Sequence, residues 1–541
     1  MSVKITENGF ARLRISIPPN PGKVLAFAAG ELASCLYRIS RAGTRILPDG
    51  KNGPGVIALS AGNEEERDAF SIVARDSSIS IHGSNPRAAL FGVYELLERA
   101  GCVFAGPFDE FVPDIPTLEL EDFSTEQTAS FDRRSVYNTL LIFNRSVHFD
   151  GFAPERFLPQ IAWLAKRKLN TFVFSVDFNR YDLWDSFRFQ AADELEKRGL
   201  KILLLNASVE YFFPQSHAQD AGDYGDSTYA SEHPEYYDGN GLLRIEMPAV
   251  RRIVAERCVD FIVSHAELES AALSPSPKLL AGILNRDSSV APFFELFNET
   301  ARRLRVSAPD KKLPVLLHGA LLDLPAGFAF EKNVLPLFSS AAVDFHYNCR
   351  SPVNAKEFAR GKQWTAGIPS VWIDHLGAES PLTPLAGTVR KNLEAYKALG
   401  VSGAFAHAGP SYNFLGARNR RALDFYVYSG LLWNGDQDVE EYRGQWLRGM
   451  FGEAAGDMRE FYRLLEVRHD ALSSQYEMKS AAPWIDLEFC HEAQEVLDKA
   501  RAAASSERIR DRIDAVNVAM LNACVYRLCP HGVPPEDEFL R

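Results

Sequence analysis

The apolar residues of this chain fall into two rhythms that change along its length. In AFAAGELASCLYRIS (residues 26–40), Phe27, Leu32, Leu36 and Ile39 recur near the helical period. In NPRAALFGVYELLERAG (85–101), Leu90, Val93, Leu96 and Leu97 share one stripe, which stops at Gly101. VIALS (56–60), FSIVA (70–74) and SISIHG (78–83) are short β-rich runs bounded by Gly, Asn and Asp, which predicts strands. A few strands with two helices predict a small α/β sandwich over residues 1–126. The Pro-punctuated FVPDIPTLELED (111–122) reads as a linker.

Beyond about Phe131 the pattern becomes strand, loop, helix, repeated. The predicted strands are RRSVYNTLLIF (133–143), TFVFSV (171–176), KILLLNAS (201–208), LESAALSPSP (268–277), KLPVLLHGA (312–320), AAVDFHY (341–347), PSVWIDHLG (369–377) and SGAFAHAGP (402–410). Amphipathic helices such as FLPQIAWLAKRKLN (157–170) and NLEAYKALGV (392–401) lie between them. Apolar strands separated by helices predict a parallel sheet covered on its outside. About eight of them predict closure into a (β/α)8 TIM barrel over residues 127–435. An open doubly wound sheet is the alternative, but no Gly-rich phosphate loop accompanies it. After LLWNGDQD (431–438) strand signals end, and residues 436–541 read as a C-terminal helical domain. The predicted class is therefore α/β: a barrel between a small α/β domain and a helical one.

Charge narrows the partners. The net charge of −12 repels phosphate backbones and anionic lipid, so neither nucleic acid nor a membrane surface is expected. A carbohydrate substrate and a homodimer through the C-terminal helices are the partners considered. No run of apolar residues is long enough to span a bilayer. The opening MSVKITENGFARLRISI lacks the apolar core of a signal peptide, which gives a cytoplasmic expectation. Seven cysteines without CxxC spacing read as buried thiols rather than a disulfide framework or zinc ribbon.

In a barrel, chemistry sits on the loops that follow the strands. The polar residues there are Asn138, Arg145 and His148 at the first strand, and Asp177 and Asn179 at the second. Asn206 and Glu210 follow the third, Ser274 and Ser276 the fourth, and His318 and Asp323 the fifth. Asp344 and His346 mark the sixth, Asp374 and His375 the seventh, and His407 the eighth. Asp344 and Asp374, after consecutive strands, are candidates for the carboxyl pair of glycoside hydrolysis. Ordinary loop-ordering or helix-capping Asp is the alternative. Neutral His, Asn and Arg donors suit sugar hydroxyls. Tyr137, Tyr211, Phe212, Trp372 and Tyr412 offer rings for stacking, or for packing over the barrel mouth. The histidines also permit a metal-dependent hydrolase or isomerase. The first strand lacks an HxH pair, and no metal or other cofactor is assigned.

GSNPRAALFGVYELLERAGCVF (83–104) resembles the non-catalytic domain that precedes the barrel in β-N-acetylhexosaminidases and xylan-type α-glucuronidases. VYNTLLIFNRSVHFDG (136–151), EHPEYYDGNG (232–241), AAVDFHYNCRSP (341–352) and VWIDHLG (371–377) are similar to the α-glucuronidases and to an uncharacterised bacterial domain family. The resemblance implies an exo-acting inverting glycosidase in which Asp344 and Asp374 activate water. It also implies a general-acid Glu after the fourth strand, where this chain reads SAALSPSPKLL (270–280). Glu210, in ASVEYFFP (207–214), is the replacement considered, with burial against Tyr211, Phe212 and Phe213 to hold its proton. Arg145 would meet a uronic acid carboxylate. A terminal uronic acid or acetamido sugar is thus the expected substrate class. A non-catalytic sugar-binding barrel and a metal-dependent barrel hydrolase are the other two readings.

Overall fold

The computed structural model describes residues 2–63, 67–140, 154–176, 182–213, 232–285, 289–365, 368–378, 382–410, 421–473 and 482–529. Its centre is a closed barrel of eight strands in chain order. They are Arg133–Leu140, Thr171–Val176, Lys201–Ser208, Ser270–Ser274, Leu313–Leu317, Val334–Ser339, Val371–Asp374 and Gly403–Pro410. Every pairing is parallel, and the first strand closes on the eighth with Tyr137 opposite His407. Both faces of these strands are buried, which is why they read as continuous apolar runs rather than alternating ones. Val173, Leu203, Ala272, Leu337, Ile373 and Phe405 belong to the packed barrel interior. Their neighbours on the other face pack against the helices.

The sixth strand is Val334–Ser339, not the expected AAVDFHY. Pro336 within it weakens the strand signal, because proline has no N–H for the ladder. Residues 341–347 instead form a turn. Asp344 accepts from the His346 N–H (3.0 Å), and its own N–H donates to Oδ1 of Asn354 (2.9 Å).

The N-terminal domain is a six-stranded sheet with the helices Gly22–Ser40 and Pro86–Arg99. Asn85 caps the second helix by accepting from the Ala88 N–H, with Pro86 at its first position. The stretch expected as a linker is partly strand: Leu118–Glu121 pairs antiparallel with Ser2–Glu7. Phe123–Thr128 then adds an edge to the main sheet, so this domain runs just past residue 126.

Asp68 joins this domain to the barrel. It is buried and accepts from Arg87 (2.8 Å), Arg134 (2.6 Å), Asn85 (3.0 Å) and Asn170 (3.0 Å). Burial works against its charge, but Arg87 and Arg134 overcome that and hold the carboxyl far below its usual range. Trp433, from the last barrel helix, stacks on Phe70 with centroids 5.2 Å apart.

The C-terminal region contains the helices Val439–Phe451, Ala455–Ser473, Leu487–Ala503 and Glu507–Leu528. Its apolar residues, among them Leu447, Phe461 and Leu497, continue the core that surrounds the barrel. Cys490 and Cys524 form a disulfide between its last two helices, which corrects the expectation of seven thiols. Helix packing brings them together across 34 residues, a proximity that spacing alone does not reveal. Among the described residues no helix is long and apolar enough to cross a membrane.

Candidate active site

At the C-terminal end of the barrel the interior changes from apolar to polar within one residue pair per strand. Side chains that follow the inward positions by two residues face the same way. Thr139 follows Tyr137, His318 follows Leu316, Ser339 follows Leu337, His375 follows Ile373 and His407 follows Phe405. Thr139, His407, His375 and Ser339 are linked in one hydrogen-bonded floor. Thr139 Oγ1 lies 2.8 Å from His407 Nε2, and His407 Nδ1 lies 3.3 Å from His375 Nδ1. His375 Nε2 lies 2.9 Å from Ser339 Oγ. Tyr137 stacks on His407 at 5.0 Å. His318 Nε2 lies 3.0 Å from Ser274 Oγ and 3.2 Å from the Pro275 carbonyl. A carbonyl only accepts, so this contact favours a proton on Nε2 of His318 and an acceptor at its Nδ1.

Gly377 permits this geometry. A Cβ there would meet the backbone carbon of Ala408 at 2.1 Å. The loop after the seventh strand therefore lies directly on the eighth, bringing His375 to His407.

The floor is uncharged at neutral pH. Burial lowers the pKa of His375 to about 4. Burial, with the neighbouring His375, lowers that of His407 to about 3. Burial also lowers that of His318. Neutral imidazoles and hydroxyls present both donors and acceptors, the complement of a sugar's hydroxyl groups. Among the described residues no three His, Cys, Asp or Glu side chains converge as a metal-ligand set.

The three candidate acids lie in different settings. Glu210 is half-buried beyond the third strand and reaches across to the fourth. Ser276 donates to it through its N–H (3.2 Å) and its hydroxyl. Ser276 also caps the helix Pro277–Leu284. The Glu210 carboxylate thus sits where the fourth strand ends, although the sequence there carries no acid. The aromatic residues that follow Glu210 pack on other rings. Tyr211 and Phe212 lie against Phe261, and Phe213 against Tyr236 and Tyr237.

Asp344 is buried beside His346, whose Nδ1 lies 2.7 Å from Asp344 Oδ1. His346 Nε2 is 3.4 Å from Thr383 Oγ1. The helical region roofs this pair: Trp484 and His469 pack on His346 at 5.5 and 5.7 Å. His469 Nε2 and Trp484 Nε1 are buried without a hydrogen-bond partner.

Asp374 is oriented away from the floor. It ends the seventh strand on its outer side and accepts from Tyr396 (2.8 Å) and Tyr428 (3.1 Å), on the helices Ala386–Ala398 and Ala422–Trp433. Burial raises its pKa to about 7 against the pull of the two hydroxyls. Trp372 faces the same outer layer, where Gly361 makes room: a Cβ at Gly361 would meet its ring at 2.6 Å. Asn138 is also on the outer face, accepting from Gln160 (2.9 Å). Asp323 pairs with Arg360 at 2.8 and 2.9 Å.

The structure therefore joins His375 and His407 in one floor, sets His318 against Ser274 at the end of the fourth strand, and keeps Asp374, Trp372 and Asn138 behind the strands. Arg145, His148, Asp177, Asn179 and Tyr412 lie outside the described residues. Thr139 and Ser339 were not singled out by strand-end reading, although counting two residues on from Tyr137 and Leu337 finds them. Tyr396, Tyr428, His469 and Trp484 carry no local signal, since distant helices bring them in.

Solved structures that share this barrel with its flanking regions include several glycoside hydrolases. A family model described as a domain of unknown function, DUF4838, matches residues 274–463. A glycoside hydrolase family 138 enzyme targeting pectin rhamnogalacturonan II superimposes with a TM-score of 0.61 at 12% identity, covering 95% of this chain and 69% of the other. A family 115 4-O-methyl-α-glucuronidase with specificity for decorated arabinogalactans gives 0.61 at 13%, covering 99% and 75%. The chitobiase of Flavobacterium johnsoniae, a family 20 protein, gives 0.53 at 13%, covering 98% and 93%. At such identities the shared property is the fold. A search of curated proteins finds no match.

Proposed function

We propose that this chain is an exo-acting glycoside hydrolase that removes a terminal sugar at the barrel mouth. The observation that carries the reading is the uncharged floor of His375, His407, Thr139 and Ser339 at the barrel's C-terminal end, with His318 at the end of the fifth strand. A closed floor suits a chain end more than a chain passing through. The absence of charge from it favours hydroxyl or acetamido groups over a carboxylate at that depth. Arg145, beyond the described residues, remains the candidate partner for a uronic acid.

Hydrolysis needs two carboxyl groups about one bond. Glu210 and Asp344 are the candidates, on loops after the third and sixth strands. In this scheme Glu210 acts on one side of the glycosidic bond, and Asp344, steadied by His346, on the other. Asp374 keeps a positioning role, fixing the two outer helices to the seventh strand. The xylan-type α-glucuronidase likeness supports the architecture of this proposal, while the sugar itself is left to experiment.

A sugar-binding barrel without turnover is the second reading. Two observations favour it: Ser274 and Ser276 stand where the resemblance implies an acid, and Asp374 is bonded to tyrosines of the outer helices. Product release from aryl glycosides and short oligosaccharides, hexosaminides and glucuronides included, tests both. Wild type should release sugar, with Glu210→Gln and Asp344→Asn slower by roughly 10²–10⁴-fold. Full turnover in Glu210→Gln on a poor leaving group would remove Glu210 from the scheme. Sugar binding with no release from any substrate selects the second reading.

A further inference from the structure

A cleft of about 990 Å³ opens at the end of the barrel opposite the mouth. Arg167 and Lys168, which line it, follow the helix Pro154–Lys166. Asn434 and Gln437 follow the helix Ala422–Trp433. Barrel helices run antiparallel to their strands, so these residues lie at the strands' N-terminal ends, where the N-terminal domain and the helical region meet the barrel. The volume falls within the roughly 300–1,000 Å³ range of small-molecule sites.

The inner wall is ionic but balanced. Lys168 bridges Glu98 (2.5 Å) and Glu95 (3.3 Å), and Arg167 pairs with Glu98 (2.7 Å). Arg99 and Arg448 add two cations to the lining, and Glu126, Asp436 and Glu441 three carboxylates, so charges of the two signs nearly balance and a bound group meets little net field. Lys168 holds a left-handed backbone (φ 58°), and its side chain is almost wholly buried in this bridge.

The outer wall differs. Phe111 is 44% exposed, and amides from Gln437 and Gln445 share the cleft with it. An open aromatic ring beside amides, over a charge-balanced wall, matches the two faces of a saccharide. The C–H face of a sugar packs on the ring, and its hydroxyls use donors and acceptors equally.

We infer that this cleft is a second binding site, taking a neutral oligosaccharide and separate from the mouth. The test is isothermal titration of the full chain with cellotriose, xylotriose and chitotriose, beside a galacturonic acid trisaccharide. Phe111→Ala and Gln437→Ala are compared with the mouth variant His407→Gln. A neutral trisaccharide should bind and lose about tenfold in affinity with Phe111→Ala. The binding component that weakens with Phe111→Ala should also weaken with Gln437→Ala and persist in His407→Gln, which removes only the component at the mouth. No binding by wild type overturns the inference, as does binding abolished by His407→Gln but indifferent to both cleft variants. Tighter binding of the acidic trisaccharide overturns the neutral assignment. Hydrolysis without cleft binding removes only this inference, and cleft binding without hydrolysis removes only the reading of the mouth.

Discussion

The two ends of the barrel solve the burial of polar groups in opposite ways. At the N-terminal end, buried charge is met with charge. Arg133 and Glu269 make a two-pronged pair across the barrel bottom (2.6 and 2.7 Å), with Lys201 at 3.6 Å. Asp68 holds Arg87 and Arg134 beside it. At the mouth, the polar floor consists of neutral imidazoles and hydroxyls. Paired charges resist separation, because parting them leaves an uncompensated ion in a dry interior. Neutral donors and acceptors can exchange partners with a ligand at small cost. One end is therefore held by paired charge, while the other keeps neutral groups that can exchange partners.

The largest expected effect breaks the charge-paired end. Asp68→Ala leaves Arg134 buried without its counter-ion and should cost about 3–5 kcal/mol in folding stability. Urea unfolding of the full chain, followed by tryptophan fluorescence, measures it. A loss below about 1 kcal/mol would mean that Asp68 does not lock the domains and that the contrast between the ends is only one of composition.

This contrast was half legible in the sequence. Fold class was readable because seven of the eight doubly buried strands and the apolar stripe of residues 85–101 carry local signals. The sixth strand was misread because Pro336 interrupts VLPLFS while AAVDFHY imitates a strand. His318, His375 and His407 were readable as strand-end residues. The direction of Asp374 was not: its neighbour His375 points to the floor, and only one residue of register separates the two faces. The Asp68 junction and the Glu210–Ser276 contact join residues 66 apart in the chain, beyond any local pattern.

A second prediction concerns the neutral end in acid. His375 and His407 have folded pKa values of about 4 and about 3, against 6.5 when free. Unfolding therefore takes up protons as pH falls below 6.5. The stability these groups contribute is present above that pH and is lost as pH falls toward 4 and 3. Each group adds about 1.4 kcal/mol per pH unit to the slope within its window. His407→Gln should remove one such contribution and flatten the loss between pH 6 and 4, read from denaturant midpoints across pH. An unchanged slope would mean that His407 is already protonated in the fold, and the uncharged floor would have to be abandoned.

Asp374 sharpens the comparison because its sign is opposite and its effect is that of a single group. Its folded pKa is about 7 against 3.8 when free. Unfolding therefore releases its proton between those values. The stability from its protonated form is full below pH 3.8 and is lost as pH rises to about 7. Over the shared window, near pH 4–6.5, two histidines take up protons on unfolding while one aspartate releases one. The net is one proton taken up, so stability should rise with pH by about 1.4 kcal/mol per unit from these three groups together. Asp374→Asn can keep bonds to Tyr396 and Tyr428, since an amide accepts from one hydroxyl and donates to the other. It removes the opposing proton and should steepen the acid limb by the same amount that His407→Gln flattens it. The double variant should return close to the wild-type slope, since the two changes cancel. An Asp374→Asn limb no steeper than wild type would show that Asp374 is ionised in the fold. A buried, ionised Asp374 beside the seventh strand would bring charge back to the mouth end and reopen its claim to the chemistry.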